Sequence, residues 1–342
     1  MEMDGRMSSH TTRARSESMG LSAEALRELE SAYGISIAAT VQRRTVIGLC
    51  AENGHCYMWK EVSQRESEER LADLREVLVA LEGNHIRVAP PIANRFGRVR
   101  VYLPSANASG FLQPWLAGRH ANYNDLQETV RVIKEVARMH RTLSADEWRN
   151  RRTLTRGHLR QRLQNKRRAL EVIWRTAVVS YPSLATIEPV CRQRMDTVLA
   201  AYSTSLAQMS VWPMSFCHRD LAPHNVLLNT RGEVQLIDFD QAGLDDPLHD
   251  ILQILNHVIF LHPLRPGELR ELVDVYVESG QLSKARSRML WRLLSWPENL
   301  GRSLVEWAKR GYSQEDLPRV SFAVQKEMAR FRLLATDSPR LG

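Results

Sequence analysis

One stretch limits what this chain can fold into more than any other: His218-Arg219-Asp220-Leu221-Ala222-Pro223-His224-Asn225, followed by two short apolar runs and Asp238-Phe239-Asp240. The runs, Val226–Leu228 and Val234–Ile237, flank Asn229-Thr230-Arg231-Gly232, so the chain is expected to fold back there as a hairpin. A two-residue turn at Arg231-Gly232 sets Thr230 against Glu233 and brings Asn225 opposite Asp238. A three-residue loop through Gly232 shifts that pairing by one residue. In either register two oxygen-bearing side chains sit together at the open end of the hairpin. Such a donor set suits a hard cation, because Mg²⁺ takes one or two protein oxygens, keeps several waters and adds substrate phosphates. Asn225 and Asp238 are therefore the candidate metal ligands. Asp220 lies on the entering loop, where a carboxylate can take the proton of an attacking hydroxyl, and it is the candidate catalytic base. His218 is read as a brace for that loop.

The order His-Arg-Asp-Leu-x-x-x-Asn and then Asp-Phe matches the catalytic-loop and metal-loop pattern of protein kinases. It departs from that pattern at Asp240, which stands where a protein kinase has glycine. Asp246-Pro247 follows after a few residues, with no Ala-Pro-Glu motif downstream, so a long activation segment is absent. Leu236-Ile237-Asp238-Phe239-Asp240, then Asp245-Asp246-Pro247-Leu248-His249-Asp250-Ile251, instead resembles the aminoglycoside phosphotransferase and choline kinase superfamily. Within it the chain is most similar to the spore coat CotS family. The tail pattern Trp296-Pro297-Glu298-Asn299-Leu300, then Trp307, extends the resemblance to residues 35–334. The resemblance implies a two-lobed, protein-kinase-like α+β fold, ATP and Mg²⁺ as cofactors, and a hydroxyl acceptor. It also implies that Asp250 supports the catalytic loop, although helix capping accounts for an aspartate there equally well.

The first third of the chain reads as the small lobe of such a fold. Ser22 is a plausible cap for a helix carrying Leu26 and Leu29, Gly34 breaks it, and strands are expected at Ile35–Val41 and Val46–Cys50. Asn53-Gly54 is the strongest hairpin signal and leads into Tyr57-Met58-Trp59-Lys60-Glu61-Val62. Lys60 sits among bulky apolar neighbours, the setting in which kinase-like folds hold the lysine that contacts the α and β phosphates; the plain alternative is a snorkelling surface lysine. A helix over residues 66–81, with Leu71, Leu74, Leu78 and Leu81 as its buried stripe, should supply an acidic partner, and Glu68 lies on that face. The usual glycine-rich phosphate loop is missing, its place taken by Gln42-Arg43-Arg44-Thr45. Strands are expected at Arg98–Leu103 and Phe111–Trp115. The second resembles the family's inter-lobe segment, where backbone groups hold adenine, which makes Gln113 and Trp115 candidate nucleotide contacts around Pro114, a residue with no amide donor.

Leu126–His140 reads as an amphipathic helix with Val130, Ile133, Val136 and Ala137 inward and a structural His140 at its end. Between Arg149 and Arg168 nine residues are basic and none is acidic, the sharpest charge asymmetry in the chain. Leu159, Leu163, Leu170 and Ile173 recur at helical intervals there, so a cationic helix is expected, either a solvated face or a site for an anionic ligand or an acidic coat partner. Residues 266–334 are helical in pattern.

These readings divide the chain into a disordered tail at 1–20, a small lobe at 21–113, and a mostly helical lobe at 114–335 bearing the catalytic hairpin. With 43% hydrophobic residues among 342, the chain can bury two lobes without disulfides. The four cysteines are scattered, and Cys50 and Cys56 are expected to be offset across the Asn53-Gly54 turn. No run approaches about 18 apolar residues and no apolar leader opens the sequence, so a cytoplasmic protein with no membrane partner is expected. A net charge of +8 biases encounters toward anions, yet no aromatics interleave with the basic residues, which disfavours nucleic acid. The expected activity is Mg-ATP-dependent phosphoryl transfer to a hydroxyl of a small molecule, polysaccharide or coat protein, with a spore coat location open to it. The alternative is a catalytically degenerate structural coat component that keeps the kinase fold.

Overall fold

Turn geometry sets both sheets that matter for the site. The computed structural model describes residues 20–43, 46–63, 66–143, 151–155, 158–208 and 214–339. The expected tail lies outside these, Gly20 excepted, as do Arg44 and Thr45 of the segment replacing a glycine loop. The chain forms two units, Met1–Glu68 with Pro91–Trp115, and Glu69–Pro90 with Leu116–Gly342. The division thus falls after Trp115, and nearly all of the helix expected in the small lobe groups with the second unit.

In chain order the first unit contains α1 (Ala23–Tyr33), β1 (Ile37–Arg43), β2 (Val46–Ala51) and β3 (Cys56–Glu61); α2 (Glu68–Gly83) follows, and β4 (Val101–Leu103) and β5 (Ala108–Pro114) complete its sheet. Ser22 caps α1 by accepting from the Ala25 amide at 3.1 Å, and Gly34 ends it at φ +68°. The antiparallel order is β1-β2-β3-β5-β4. Side chains alternate across a strand, so one face gathers Ile47, Leu49, Trp59, Leu112, Val101 and Leu103 against Ala25 and Leu29 of α1. The opposite face carries the register partners Gly48, Met58 and Gln113, and beside them Lys60 and Phe111. Gly110 is obligatory in this sheet: a Cβ there would lie 2.4 Å from the Lys60 carbonyl and 2.6 Å from the Trp59 ring.

The Asn53-Gly54 turn is one residue longer than a two-residue hairpin. Ala51 donates its amide to His55 and Gly54 donates to Ala51, with Gly54 at φ +83°. That register sets Cys50 directly opposite Cys56, so the expected offset is corrected. All four cysteines are free thiols.

The second unit holds β6 (Arg119–His120), α3 (Leu126–Thr142), α4 (Leu159–Ser180), α5 (Glu188–Gln208), β7 (Ser215–Cys217), β8 (Val226–Leu228), β9 (Val234–Leu236), β10 (Gly243–Asp245) and then five helices: α6 (Leu248–Leu261), α7 (Glu268–Ser279), α8 (Lys284–Leu294), α9 (Glu298–Lys309) and α10 (Leu317–Asp337). Its core is continuous from Leu74, Leu78 and Leu81 of α2 through Ile133 and Val136 of α3 to Trp296 and Trp307. Val130, expected inward, is half-buried, and His140 is buried. No helix among the described residues is long and apolar enough to cross a membrane.

The cationic helix exists as α4, with Leu159, Leu163 and Leu170 buried. Part of its charge is met by acids from elsewhere: Lys166 pairs with Glu298 at 2.6 Å, Arg167 with Asp196 at 2.9 Å, and Arg151, just upstream, with Asp73 at 2.5 Å and also with Glu76. Arg149 and Arg156 lie outside the described residues.

Candidate active site

Strand pairing places two loops at one end of the second unit. β8 pairs with β9 in a hairpin, and β7 pairs with β10, Cys217 opposite Gly243. The segment 218–225 joins β7 to β8 and the segment 237–242 joins β9 to β10, so both loops leave from paired strands. In the hairpin Val226 faces Leu236, and Gly232, at φ +74°, closes a three-residue loop. Asn225 therefore meets Ile237, which donates its amide to the Asn225 carbonyl at 3.0 Å, and Asp238 stands one residue beyond.

Asn225 and Asp220 are joined directly. The Asn225 amide nitrogen donates to the Asp220 carbonyl at 2.8 Å and to the Asp220 carboxylate at 3.0 Å. With the amide nitrogen of buried Asn225 used on Asp220, its Oδ1 is the acceptor that a hard cation would take. Asp238 adopts φ +67°, a left-handed conformation that aspartate tolerates better than most side chains, and its carboxylate is half-buried. An all-oxygen pair of this kind fits Mg²⁺. Asp240 is exposed, and its carbonyl accepts from Arg70 at 3.2 Å.

The loops are held from behind by groups that do not face the reaction. His218 is fully buried; its Nε2 donates to the Ile237 carbonyl at 2.8 Å and its Nδ1 accepts the Asp220 amide at 3.3 Å, so the neutral ring ties the catalytic loop to the metal loop. Burial pushes its pKa down, in keeping with that neutral tautomer. Its ring centroid lies 4.4 Å from that of Phe239. Asp250 receives the amides of His218 and Arg219 at 2.7 and 2.8 Å, so it supports the catalytic loop and does not cap its own helix. Burial acts to raise the Asp250 carboxyl, but the hydrogen bond from His140 and the charge of nearby imidazoles hold it below the ordinary range. Asp245 accepts the first amide of α4, from Leu159, at 2.8 Å, and Asp246 pairs with Arg286 and accepts from Tyr202.

Two supports escape a reading by motif. Gln253 of α6 brackets Asp220: its Nε2 donates to the Arg219 carbonyl at 2.7 Å and its Oε1 accepts from the Leu221 amide at 3.0 Å. Arg70 of α2, buried, donates to the carbonyls of Thr153, Asp240 and Ala242. Both carried a signal, since Gln253 follows Asp250 by three positions on one helix face and Arg70 precedes Leu74 by four on the buried stripe.

In the first unit, Lys60 is half-buried on the sheet face turned away from α1. Gln113 and Trp115 share that face. Gln113 is buried opposite Met58, while Trp115 lays its indole over Gly48, where a Cβ would come within 3.1 Å of the ring. The Trp115 amide donates to the Cys56 carbonyl at 3.0 Å, which commits the donor expected to serve a base. Glu68 has both carboxylate oxygens engaged, accepting from the amides of Val99 at 2.7 Å and Arg100 at 2.8 Å.

Comparison with known proteins adds a family. The model described as "Phosphotransferase enzyme family" matches residues 52–289. No curated protein matches the chain. Among solved structures, an aminoglycoside phosphotransferase from Alicyclobacillus acidocaldarius subsp. acidocaldarius superposes with a TM-score of 0.78 at 18% identity, over 94% of this chain and 97% of that one. A microcompartment-associated aminopropanol kinase gives 0.60 at 18% identity, over 93% and 99%. An amicoumacin kinase in complex with AMP-PNP, Ca²⁺ and Ami gives 0.57 at 18% identity, over 88% and 92%. These likenesses establish the kinase-like α+β fold.

Proposed function

Because the chain belongs to the phosphotransferase enzyme family, we propose that it transfers the γ-phosphoryl group of Mg-bound ATP to a hydroxyl of a small molecule. The observation that carries this reading is the coupling of Asp220 to Asn225 at 3.0 Å, with Asp238 one residue past the Asn225 partner in the hairpin. Asp220 accepts the hydroxyl proton as the acceptor oxygen attacks phosphorus, and Asn225 keeps its carboxylate aimed. Asn225 Oδ1 and the Asp238 carboxylate would hold Mg²⁺, which would supply charge to offset that of the phosphates. Lys60 would contact the α and β phosphates, with Glu68 as the acidic group of its helix, and Gln113 and Trp115 would serve the adenine. The relatives support this assignment by what they bind: one holds AMP-PNP with Ca²⁺, and another is a kinase of aminopropanol. The finer placement, among spore coat proteins of the CotS type with coat proteins as partners, rests on the sequence resemblance.

A second reading, a kinase-fold coat component without turnover, is favoured by the inter-lobe strand. Pro114 has no amide and the Trp115 amide is committed, which removes two backbone donors from the segment that would grip a base. Thermal-shift titration with ATP, with and without Mg²⁺, separates the two, since a ligand that binds only the native state raises its stability. Phosphotransfer requires a Mg-dependent rise that Asp238→Ala abolishes while the fold persists. No rise with ATP at millimolar concentration, or equal rises in wild type and variant, would hand the chain to the scaffold reading.

A further inference from the structure

Two buried side chains clamp the metal loop, one on each side of Asp238. Asp238 stands at φ +67°, a left-handed conformation that costs a non-glycine residue free energy and persists where its surroundings over-determine it. Before it, His218 donates to the Ile237 carbonyl at 2.8 Å. After it, Arg70 of α2 donates through Nη2 to two carbonyls of the same loop, Asp240 at 3.2 Å and Ala242 at 2.9 Å. The Ala242 amide in turn donates to the Phe239 carbonyl at 3.0 Å. Peptide groups on both sides of Asp238 therefore have fixed directions.

The guanidinium of Arg70 is itself held from the side away from that loop. Its Nη1 donates to the Thr153 carbonyl at 2.9 Å, and Asp73, nearly one turn further along α2, accepts from the Thr153 hydroxyl and from Arg151 at 2.5 Å. The segment bearing Thr153 runs beside β10: Thr155 bridges Leu244, and the Leu154 carbonyl comes so close that a Cβ on Gly243 would lie 2.4 Å from it. Keeping an arginine at position 70 is costly. It is 7% exposed and sits in the first turn of its helix, where the dipole disfavours a cation, and burying a guanidinium costs its hydration. An aliphatic side chain would avoid both costs but could not fix three carbonyls from separate segments.

Building on the phosphotransfer reading, we infer that Arg70 is a positioning residue for the divalent cation: by fixing the Asp240 and Ala242 carbonyls it sets the backbone from which the Asp238 carboxylate would ligate Mg²⁺. It thereby governs metal affinity through the loop. Its charge acts in the opposite sense, since a cation near Mg²⁺ repels it. Loss of the guanidinium therefore weakens Mg²⁺ binding if geometry dominates and strengthens it if charge does.

Calorimetry of AMP-PNP binding with Mg²⁺ and with EDTA gives the gain in affinity that the metal supplies. In Arg70→Met this gain should fall roughly ten-fold or more, the usual cost of losing a group that orients a metal ligand, while affinity in EDTA stays at the wild-type value. Arg70→Lys keeps the charge without the planar fork and should lose less. Arg330, also buried and spending its guanidinium on the Leu294 carbonyl, supplies the control: Arg330→Lys should leave the gain unchanged. Amide hydrogen exchange in metal-free protein gives a readout without ligand, and residues 238–242 should exchange faster in Arg70→Met while α9 does not. The inference is overturned if Arg70→Met keeps or raises the gain, if affinity in EDTA falls equally, if Arg330→Lys lowers the gain as much as Arg70→Lys, or if exchange at 238–242 is unchanged. Should Arg70→Met fail to fold, an undiminished gain in Arg70→Lys overturns it. A gain that Asp238→Ala abolishes and the Arg70 variants leave intact spares the phosphotransfer reading, whereas no gain in wild type removes both.

Discussion

The carboxylate of Asp250 is shared between a helix and a loop: its Oδ2 lies 3.0 Å from His140 Nε2 and 2.7 Å from the His218 amide, while its Oδ1 takes the Arg219 amide at 2.8 Å. Tyr276 closes the chain, with its hydroxyl 2.9 Å from His140 Nδ1. Asp250→Ala leaves two buried amides and a buried imidazole without their partner, so a loss of about 3–5 kcal/mol is expected from urea unfolding. His140→Phe, which keeps the ring volume, should cost less because the loop amides retain their acceptor. Equal losses would mean that the loop contacts contribute little.

Asp220→Asn keeps size and reach but cannot take a proton. Turnover should fall by about 10² to 10⁴, with Mg-ATP affinity unchanged. Basal ATP hydrolysis, compared at matched purity, provides the readout before an acceptor is in hand. Unchanged hydrolysis would remove Asp220 from the role of base.

Lys60→Ala should weaken nucleotide binding more than Lys134→Ala, because Lys134 is exposed on α3 while Lys60 is half-buried on the open face of the sheet. Similar affinities in the two variants would return Lys60 to an ordinary surface lysine.

The pH dependence follows from His257. Burial holds its folded pKa at about 4, below the unfolded value of about 6.5. Between these values the unfolded chain binds a proton that the folded chain refuses. Stability should therefore fall as pH drops from 6.5 toward 4 and level off below, with His257 contributing no more than about 3 kcal/mol. Buried His218, also pushed down, acts in the same direction. His257→Gln should flatten part of this limb in urea midpoints measured across the range; an unchanged slope would mean that His257 is not shielded from water.

Cys50 and Cys56 are a register pair, and the Ala51-to-His55 hydrogen bond next to them makes theirs a site without ladder bonds, where side chains come closest. The neighbouring Cys50 side chain, and after it burial, raise the Cys56 thiol pKa. Equilibration with a small-molecule disulfide should link them and release two small thiols per chain. Cys191 and Cys217, buried with pKa values pushed up, should stay reduced. Peptide mapping by mass spectrometry checks this, and mixed disulfides on Cys191 or Cys217 would contradict it.

The juxtaposition of the candidate site residues in the second unit could be read from the chain because it is local. Asp220, Asn225 and Asp238 sit on two loops joined by a hairpin, and short-range pattern suffices to bring them together. Register was less accessible. Asn53-Gly54 suggests a two-residue turn and Arg231-Gly232 leaves two lengths open, yet both close as three-residue loops with the glycine left-handed in third place. That single residue decides whether Cys50 meets Cys56 and whether Asn225 meets Asp238 or Ile237. Arg70 was hidden for another reason. A charged residue in the first turn of a helix is ordinary, and only tertiary packing reveals that its guanidinium is spent on carbonyls far along the chain. The basic run from 149 to 168 could be read as a helix but not for its partners, because the acids that meet part of its charge, Asp73, Asp196 and Glu298, are remote in sequence.

Gly48 and Trp115 are a single choice made at two positions. A methyl group at 48 would lie 3.1 Å from the indole and 3.2 Å from the Val41 carbonyl of the neighbouring strand, so one of them must give by a few tenths of an ångström. A lineage that acquires a side chain at 48 is therefore expected to move or shrink the side chain at 115, which is the easier of the two to displace. The two columns of any family alignment should change together, with bulk passing from one strand to the other and the sum of the two volumes held nearly constant.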